Sequence, residues 1–356
     1  ALLHENKKAL LDGKHETVIK LAADSLNLAL AWEWSVEHQQ INFITKSINS
    51  LGMFYEMSGQ FAEGLRAFDK LNQILALGLS IGPAAGQLIL AESLSWRGSF
   101  HYHLGQTEQA KELLEKSLSI WQTLSSRNQF ISAVQHGQAL VLRCLGTVFL
   151  RDADYEIARE LGEKSLQIYS QLGENQKAAD VILHVFASIH VLQGEFASGE
   201  NLVREALAIY QAHDNSFGAR MATGFLSWVF LLSGKYDAIL RLDERLSNRK
   251  LIAEAKLHQG LYDEAYSVFQ ISLELERLEG AFASAVVSLM GLGKVTLAHS
   301  ATKALEFFQD SLAYAYKVNE RKLIASALAN IALARYKLGL KRDATSSLFE
   351  SLPVSY

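Results

Sequence analysis

A ten-residue stretch, "GQFAEGLRAF" (59–68), returns seven more times in altered form along this 356-residue chain. It reads "GQTEQAKELL" (105–114), "ADYEIARELG" (153–162), "GEFASGENLV" (194–203) and "GKYDAILRLD" (234–243), then "GLYDEAYSVF" (260–269), "SATKALEFF" (300–308) and "GLKRDATSSL" (339–348). A fixed period of this kind decides architecture before any single motif does. The shared pattern is glycine, any residue, an aromatic, two residues and a small residue, followed by an apolar residue four places on. Glycine ends one helix where a left-handed backbone is needed. The aromatic caps the corner, and the small residue, as at Ala110, Ala158, Ala265 and Ala344, lets the second helix approach the first. Thr107 and Lys341 replace the aromatic, and Ile239 replaces the small residue.

Upstream of the corners, Gly52, Gly98 and Gly146 stand seven residues before the first three, where a small residue allows a close helix crossing. Apolar spacing of three and four continues after the corners, as at Leu113, Leu114, Leu118 and Trp121. This spacing predicts about nine helical hairpins. Their first helices lie near 2–11, 40–58, 84–104, 129–150, 175–193, 216–233, 249–258, 281–298 and 320–338, and the partners run from 15–37 to 341–351. Corners are mostly 39–48 residues apart, with one interval of 26 between Gly234 and Gly260.

Composition agrees with an all-helical chain: two prolines in all, 49% hydrophobic residues and no recurring β-branched strand-length stretch. Formal net charge is −4 with acids and bases interspersed, so neither direct nucleic-acid binding nor an anionic membrane partner is expected. The single cysteine, Cys144, forms no internal disulfide and suits a reducing cytoplasm. No run is long enough to span a bilayer.

Two stretches imitate catalytic motifs. Gly78-Leu79-Ser80-Ile81-Gly82 matches a nucleophile elbow, which requires a strand before the serine. Here Gly78 reads as a helix C-cap and Pro83 as a helix start, so Ser80 belongs to a connection between hairpins. "MGLGKVTL" (290–297) evokes a phosphate-binding loop, but Ser288 stands where glycine is required and Val295 where Ser or Thr is. Gly293 is expected to be a helix-packing glycine and Lys294 a solvated side chain. Trp32, Trp34 and Trp121 are read as packing residues. The eleven histidines show no metal-ligand spacing. No catalytic constellation, metal or cofactor is expected in this chain.

The corner motifs and the upstream glycines resemble the tetratricopeptide repeat over nearly the whole chain. That resemblance implies an all-α, right-handed superhelical solenoid of about nine tetratricopeptide-like hairpins, in repeats of ~40 residues. It is read as one domain over 1–356, with an entry hairpin at 1–38, repeats at 39–351 and a tail at 352–356. Ordinary members are shorter and carry a proline after the second helix. Long, proline-poor repeats resemble the C-terminal sensor region of bacterial STAND regulators, signal-transduction ATPases of the maltose-regulon-activator and antibiotic-regulatory-protein type. "LNLALAWEWSVEHQQ" (26–40) is similar to the passage from ATPase and winged helix into the repeats.

In the family the inward positions of each first helix lie ten, six, three and two residues before the corner. Carried over, they give Asn49, Met53 and Glu56, then Ser95, Ser99, Tyr102 and His103. Next come Arg143, Thr147 and Arg151, then His184 and Ser188, then Trp228, followed by Lys250, Glu254, Ala329 and Tyr336. The resemblance implies a non-enzymatic module with a peptide, protein or small-molecule effector in a concave groove. An ATPase domain in the same polypeptide would make it a sensor arm; without one it would be a free-standing adaptor.

Overall fold

The computed structural model describes residues 2–76, 83–242, 249–278, 281–318 and 320–351. Every regular element among them is helical, and the fold is an all-α solenoid. In chain order the helices are α1 (Leu2–Glu5), α2 (Lys7–Leu11), α3 (His15–Ala23), α4 (Ser25–Glu37), α5 (Ile41–Ser58), α6 (Phe61–Ala76) and α7 (Pro83–His103). There follow α8 (Thr107–Ser126), α9 (Ile131–Arg151), α10 (Tyr155–Gln171), α11 (Asn175–Val181), a π-helical turn (Ile182–Ala187), α12 (Ser188–Leu192), α13 (Phe196–Ala212) and α14 (Ser216–Leu232). The remainder are α15 (Tyr236–Leu240), α16 (Arg249–His258), α17 (Tyr262–Leu278), α18 (Phe282–Thr296), α19 (Ala301–Val318), α20 (Arg321–Lys337) and α21 (Lys341–Ser351). The Ser80 motif lies outside the described residues.

Corner chemistry explains the helix ends. Gly59 has φ +72° at the C-terminus of α5; its N–H donates to the Glu56 carbonyl and the Gln60 N–H to that of Tyr55. This crossed pair is the Schellman arrangement, which satisfies carbonyls the helix leaves open. It recurs at Gly105, Gly194, Gly234, Gly260 and Gly339, and Ala153 adopts the same left-handed conformation in the third corner. Corner aromatics reach the next hairpin: Phe61 stacks on His103 with centroids 4.4 Å apart, and Tyr236 on His258 at 4.9 Å. Ala110, Ala158, Ala265 and Ala344 are buried as expected, and so is Ile239.

Contacts divide the chain into two units, Ala1–Ala222 and Thr223–Tyr356, where the sequence reads as one domain over 1–356. In the first unit α5, α7, α9 and the π-helical turn lie side by side as successive first helices. Close approach depends on glycines. A Cβ at Gly52 would sit 2.2 Å from the Trp96 ring, and one at Gly137 would sit 2.3 Å from Trp121. The entry hairpin's own corner, Gly13 at φ +64°, meets the start of α14: Phe217 N–H and the Ser216 hydroxyl both donate to the Gly13 carbonyl. In the second unit α16, α18 and α20 neighbour one another, each packed on its partner α17, α19 or α21.

Three expectations change. The expected helix 2–11 is interrupted at Asn6, whose side chain turns back to the Leu2 carbonyl, and 15–37 at Asp24. The helix expected near 175–193 contains a π-helical turn, where Val185 lies against Gly146 and Gly162. Trp32 and Trp121 are buried, but Trp34 is 52% exposed and stacks on His38 instead of packing inside. Among the described residues no helix is long and apolar enough to cross a membrane.

Candidate binding face

Four consecutive first helices of the first unit bring charged groups onto one face. Glu56 comes from the last turn of α5, Ser99 and His103 from α7, Arg143 from α9, and Lys177, Asp180 and His184 from α11 and the π-helical turn. Glu56 Oε1 accepts from Ser99 Oγ at 3.1 Å and lies 3.8 Å from His103 Nε2. Asp180 Oδ1 accepts from Tyr210 Oη at 2.6 Å, and its Oδ2 faces Lys177 Nζ at 3.3 Å. Tyr210 stands on α13, so the second helix of this hairpin supports the face from behind. Further along α9, the Arg151 guanidinium lies over the Tyr102 ring, 4.2 Å from its centroid.

The electrostatics show that these groups act on each other across several hairpins. Burial alone would raise the Glu56 carboxyl, but the neighbouring His103 and the charges of Arg143 and Lys177 outweigh it and bring it down to about 2. Asp180 is lowered too: burial opposes ionisation, while Lys177, Arg143 and the Tyr210 hydroxyl favour it. Burial and the neighbouring Arg143 charge hold the His184 imidazole down to about 4, against the pull of Asp180. His184 is therefore neutral near pH 7. The Arg143 guanidinium is held firmly in its charged form, its burial outweighed by the nearby Glu56 and Asp180 carboxylates. Glu56 and Asp180 retain 27% and 25% side-chain exposure, so the face is open to a ligand as well as internally paired.

A second polar group lies nearby on α5 and α7. Asn49 Nδ2 donates to Glu92 Oε1 at 2.8 Å and Asn49 Oδ1 accepts from Trp96 Nε1 at 3.0 Å. Glu92 is 8% exposed, and among the described residues its Oε2 finds no hydrogen-bond partner. Burial pushes its carboxyl up to about 7, with Asn49 and Lys7 opposing.

The expected inward residues thus part company. Glu56, Arg143 and His184 converge, with Tyr102 beside Arg151 and Asn49 tied to Glu92. Ser95 does not line the face: it is 2% exposed, donates to the Ala91 carbonyl and pairs with Ser117 Oγ at 2.8 Å inside the α7–α8 hairpin. Thr147 is buried, its hydroxyl returned to the Cys144 carbonyl at 2.7 Å. Ser188 is half-buried one turn after His184. Trp228 belongs to the second unit, edge-on to Phe225 at 5.1 Å. In that unit Lys250 pairs with Glu276 and Glu254 with Lys294. Lys177, Asp180, Tyr210 and Glu92 were not among the expected residues. Asp180 lies one helical turn before His184, a spacing that places both on one side; Glu92 carries no comparable signal.

Gly293 is inside α18, where an added Cβ would lie 2.3 Å from Phe308, and Lys294 is exposed to solvent while pairing with Glu254 at 2.8 Å. That accounts for the phosphate-loop imitation. Among the described residues no group of three or more His, Cys, Asp or Glu side chains is placed to hold a metal ion.

Residues 90–130 and 137–212 match family descriptions of the tetratricopeptide repeat. No curated protein matches the sequence. Among solved structures, the chain is similar to the Rap conjugation gene regulator of plasmid pLS20 in complex with the Phr peptide, at 13% identity and TM-score 0.53, covering 99% of this chain and 93% of that one. It is similar also to a Rap protein complexed with Competence and Sporulation Factor, at 14% identity and TM-score 0.52, covering 99% and 96%. A STAND protein with a tetratricopeptide-repeat sensor from Pyrococcus horikoshii aligns at 15% identity and TM-score 0.40 over 95% of this chain. The chain spans about half the length of that STAND protein, 48%. The fold is an all-α solenoid, and within it residues 90–130 and 137–212 carry tetratricopeptide repeats.

Proposed function

We propose that this tetratricopeptide-repeat solenoid is a non-enzymatic binding module whose first unit takes an extended peptide segment on the face formed by α5, α7, α9 and α11. One observation carries the reading: Glu56, His103, Arg143, Asp180 and His184, from four hairpins, meet on a single face. Successive first helices each offer one or two polar groups, and an extended chain crossing them meets a new set at each step. The stretches that match the tetratricopeptide repeat, 90–130 and 137–212, contain all of these groups except Glu56. The two Rap structures, each solved with a bound partner, motivate a peptide as the occupant.

In the finer form of this proposal the module is the sensor arm of a STAND-type ATPase in the cytoplasm, and peptide binding shifts the equilibrium of the whole polypeptide. A ligand does so only through unequal affinity for its two forms. A free-standing adaptor is the alternative. Selection from a random heptapeptide phage library, followed by hydrogen exchange with the winning peptide, tests the module. Protection confined to α5, α7, α9 and α11 supports it, and protection confined to α6, α8 and α10 removes it. Stimulation of nucleotide hydrolysis by that peptide in the full-length polypeptide separates sensor arm from adaptor.

A further inference from the structure

Hydrogen-bond bookkeeping on the proposed face is lopsided. Both acids are already engaged: Glu56 accepts from Ser99 and faces His103, and Asp180 accepts from Tyr210 and faces Lys177. Lys177 is committed to Asp180 as well. Arg143 is different. Its guanidinium carries five N–H donors in a fixed fork, yet among the described residues none accepts a hydrogen bond from it; Glu56 and Asp180 act on it through charge alone. It is half-buried, on the third of the four first helices that build the face.

We propose that Arg143 anchors an acidic side chain, Asp or Glu, in the interior of the bound peptide. The inference rests on the peptide-binding reading above and names what that face selects. A carboxylate matches the planar fork bidentately and supplies the acceptors the protein does not. A doubly charged phosphate fits less well, because Glu56 and Asp180 already stand beside the guanidinium. Because α9 has α5 and α7 to one side and the π-helical turn to the other, the contact falls within the peptide rather than at a chain end.

The same phage library is selected against the wild-type chain and against Arg143→Gln, whose fold is checked by circular dichroism. The expected result is one fixed internal Asp or Glu in the wild-type consensus that is absent from the variant's. Changing that acid to its amide should weaken binding to the wild type by at least tenfold and leave binding to Arg143→Gln unchanged. Three results overturn the proposal while leaving the module standing: a consensus without an acid, a fixed Lys or Arg instead, or strict dependence on a free peptide C-terminus. An equal loss from the amide peptide in both proteins also overturns it. Enrichment of no peptide at all removes the binding-module reading itself, and the anchor with it.

Discussion

Lys14 Nζ donates to the carbonyl oxygen of Asp214 at 2.9 Å, across 200 residues of chain. Around this contact the corner of the entry hairpin is bonded to the start of α14. His15 N–H donates to Ser216 Oγ at 3.2 Å, and an Arg220 nitrogen stands 3.2 Å from His15 Nδ1. Asn215 closes the joint, its Oδ1 accepting from the Gly218 N–H at 2.7 Å as the N-cap of α14. The first unit is thereby fastened between its first hairpin and the beginning of its last helix.

Gly13→Val should unfasten it. The residue sits at φ +64°, and a Cβ there would lie 1.8 Å from Asn215 Oδ1. Left-handed strain and overpacking together should cost about 2–4 kcal/mol. Hydrogen exchange provides the check, because the Phe217 N–H bonded to Gly13 should lose protection. Unchanged protection at Phe217 would show that the joint does not hold α14.

Glu92→Gln should change how stability depends on pH. Burial raises the folded-state carboxyl from 4.5 to about 7, so between these values the folded state holds a proton that the unfolded state has released. Stability therefore falls as pH rises through that window, by roughly 3 kcal/mol if the whole shift is expressed. Glutamine keeps the acceptor for Asn49 and has nothing to ionise. Melting temperatures at pH 5 and pH 8 should converge in the variant relative to wild type, and equal pH slopes would contradict the burial argument.

His184→Asn should act with the opposite sign. The folded-state imidazole is held down to about 4, so the unfolded chain binds the extra proton between pH 6.5 and 4 and stability is lost on acidification. Partial exposure makes this smaller than the shift alone suggests, about 1–2 kcal/mol. Urea titrations at pH 7 and pH 5 should show the variant losing less stability than wild type. A variant as acid-sensitive as the parent would assign the effect elsewhere.

Two glycines of first helices should respond oppositely to alanine. At Gly52 the new methyl meets the Trp96 ring at 2.2 Å, and overpacking there should destabilise by about 1–3 kcal/mol. At Gly86, within α7, nothing lies within 4 Å, and alanine should stabilise by about 0.5–1 kcal/mol through helix propensity. Thermal melting decides, and shifts of the same sign would defeat the packing account.

The repeating unit is legible along the chain because its causes are local. A left-handed residue is needed wherever a helix must end in crossed hydrogen bonds, so Gly59, Gly105, Gly194 and Gly339 could be read directly from the chain. The fixed offset from the corner also assigned Glu56, Arg143 and His184 a side of their helices, which is as far as a local pattern reaches. Tertiary structure alone decided what those positions do. Ser95 has the same offset as Arg143 but finds Ser117 and the Ala91 carbonyl within reach, and so turns into its own hairpin. The Asp180–Tyr210 bond and the Gly13 joint arise between residues from 30 to about 200 positions apart. Periodicity reports which side of a helix a residue occupies; only packing sets which distant group it meets there.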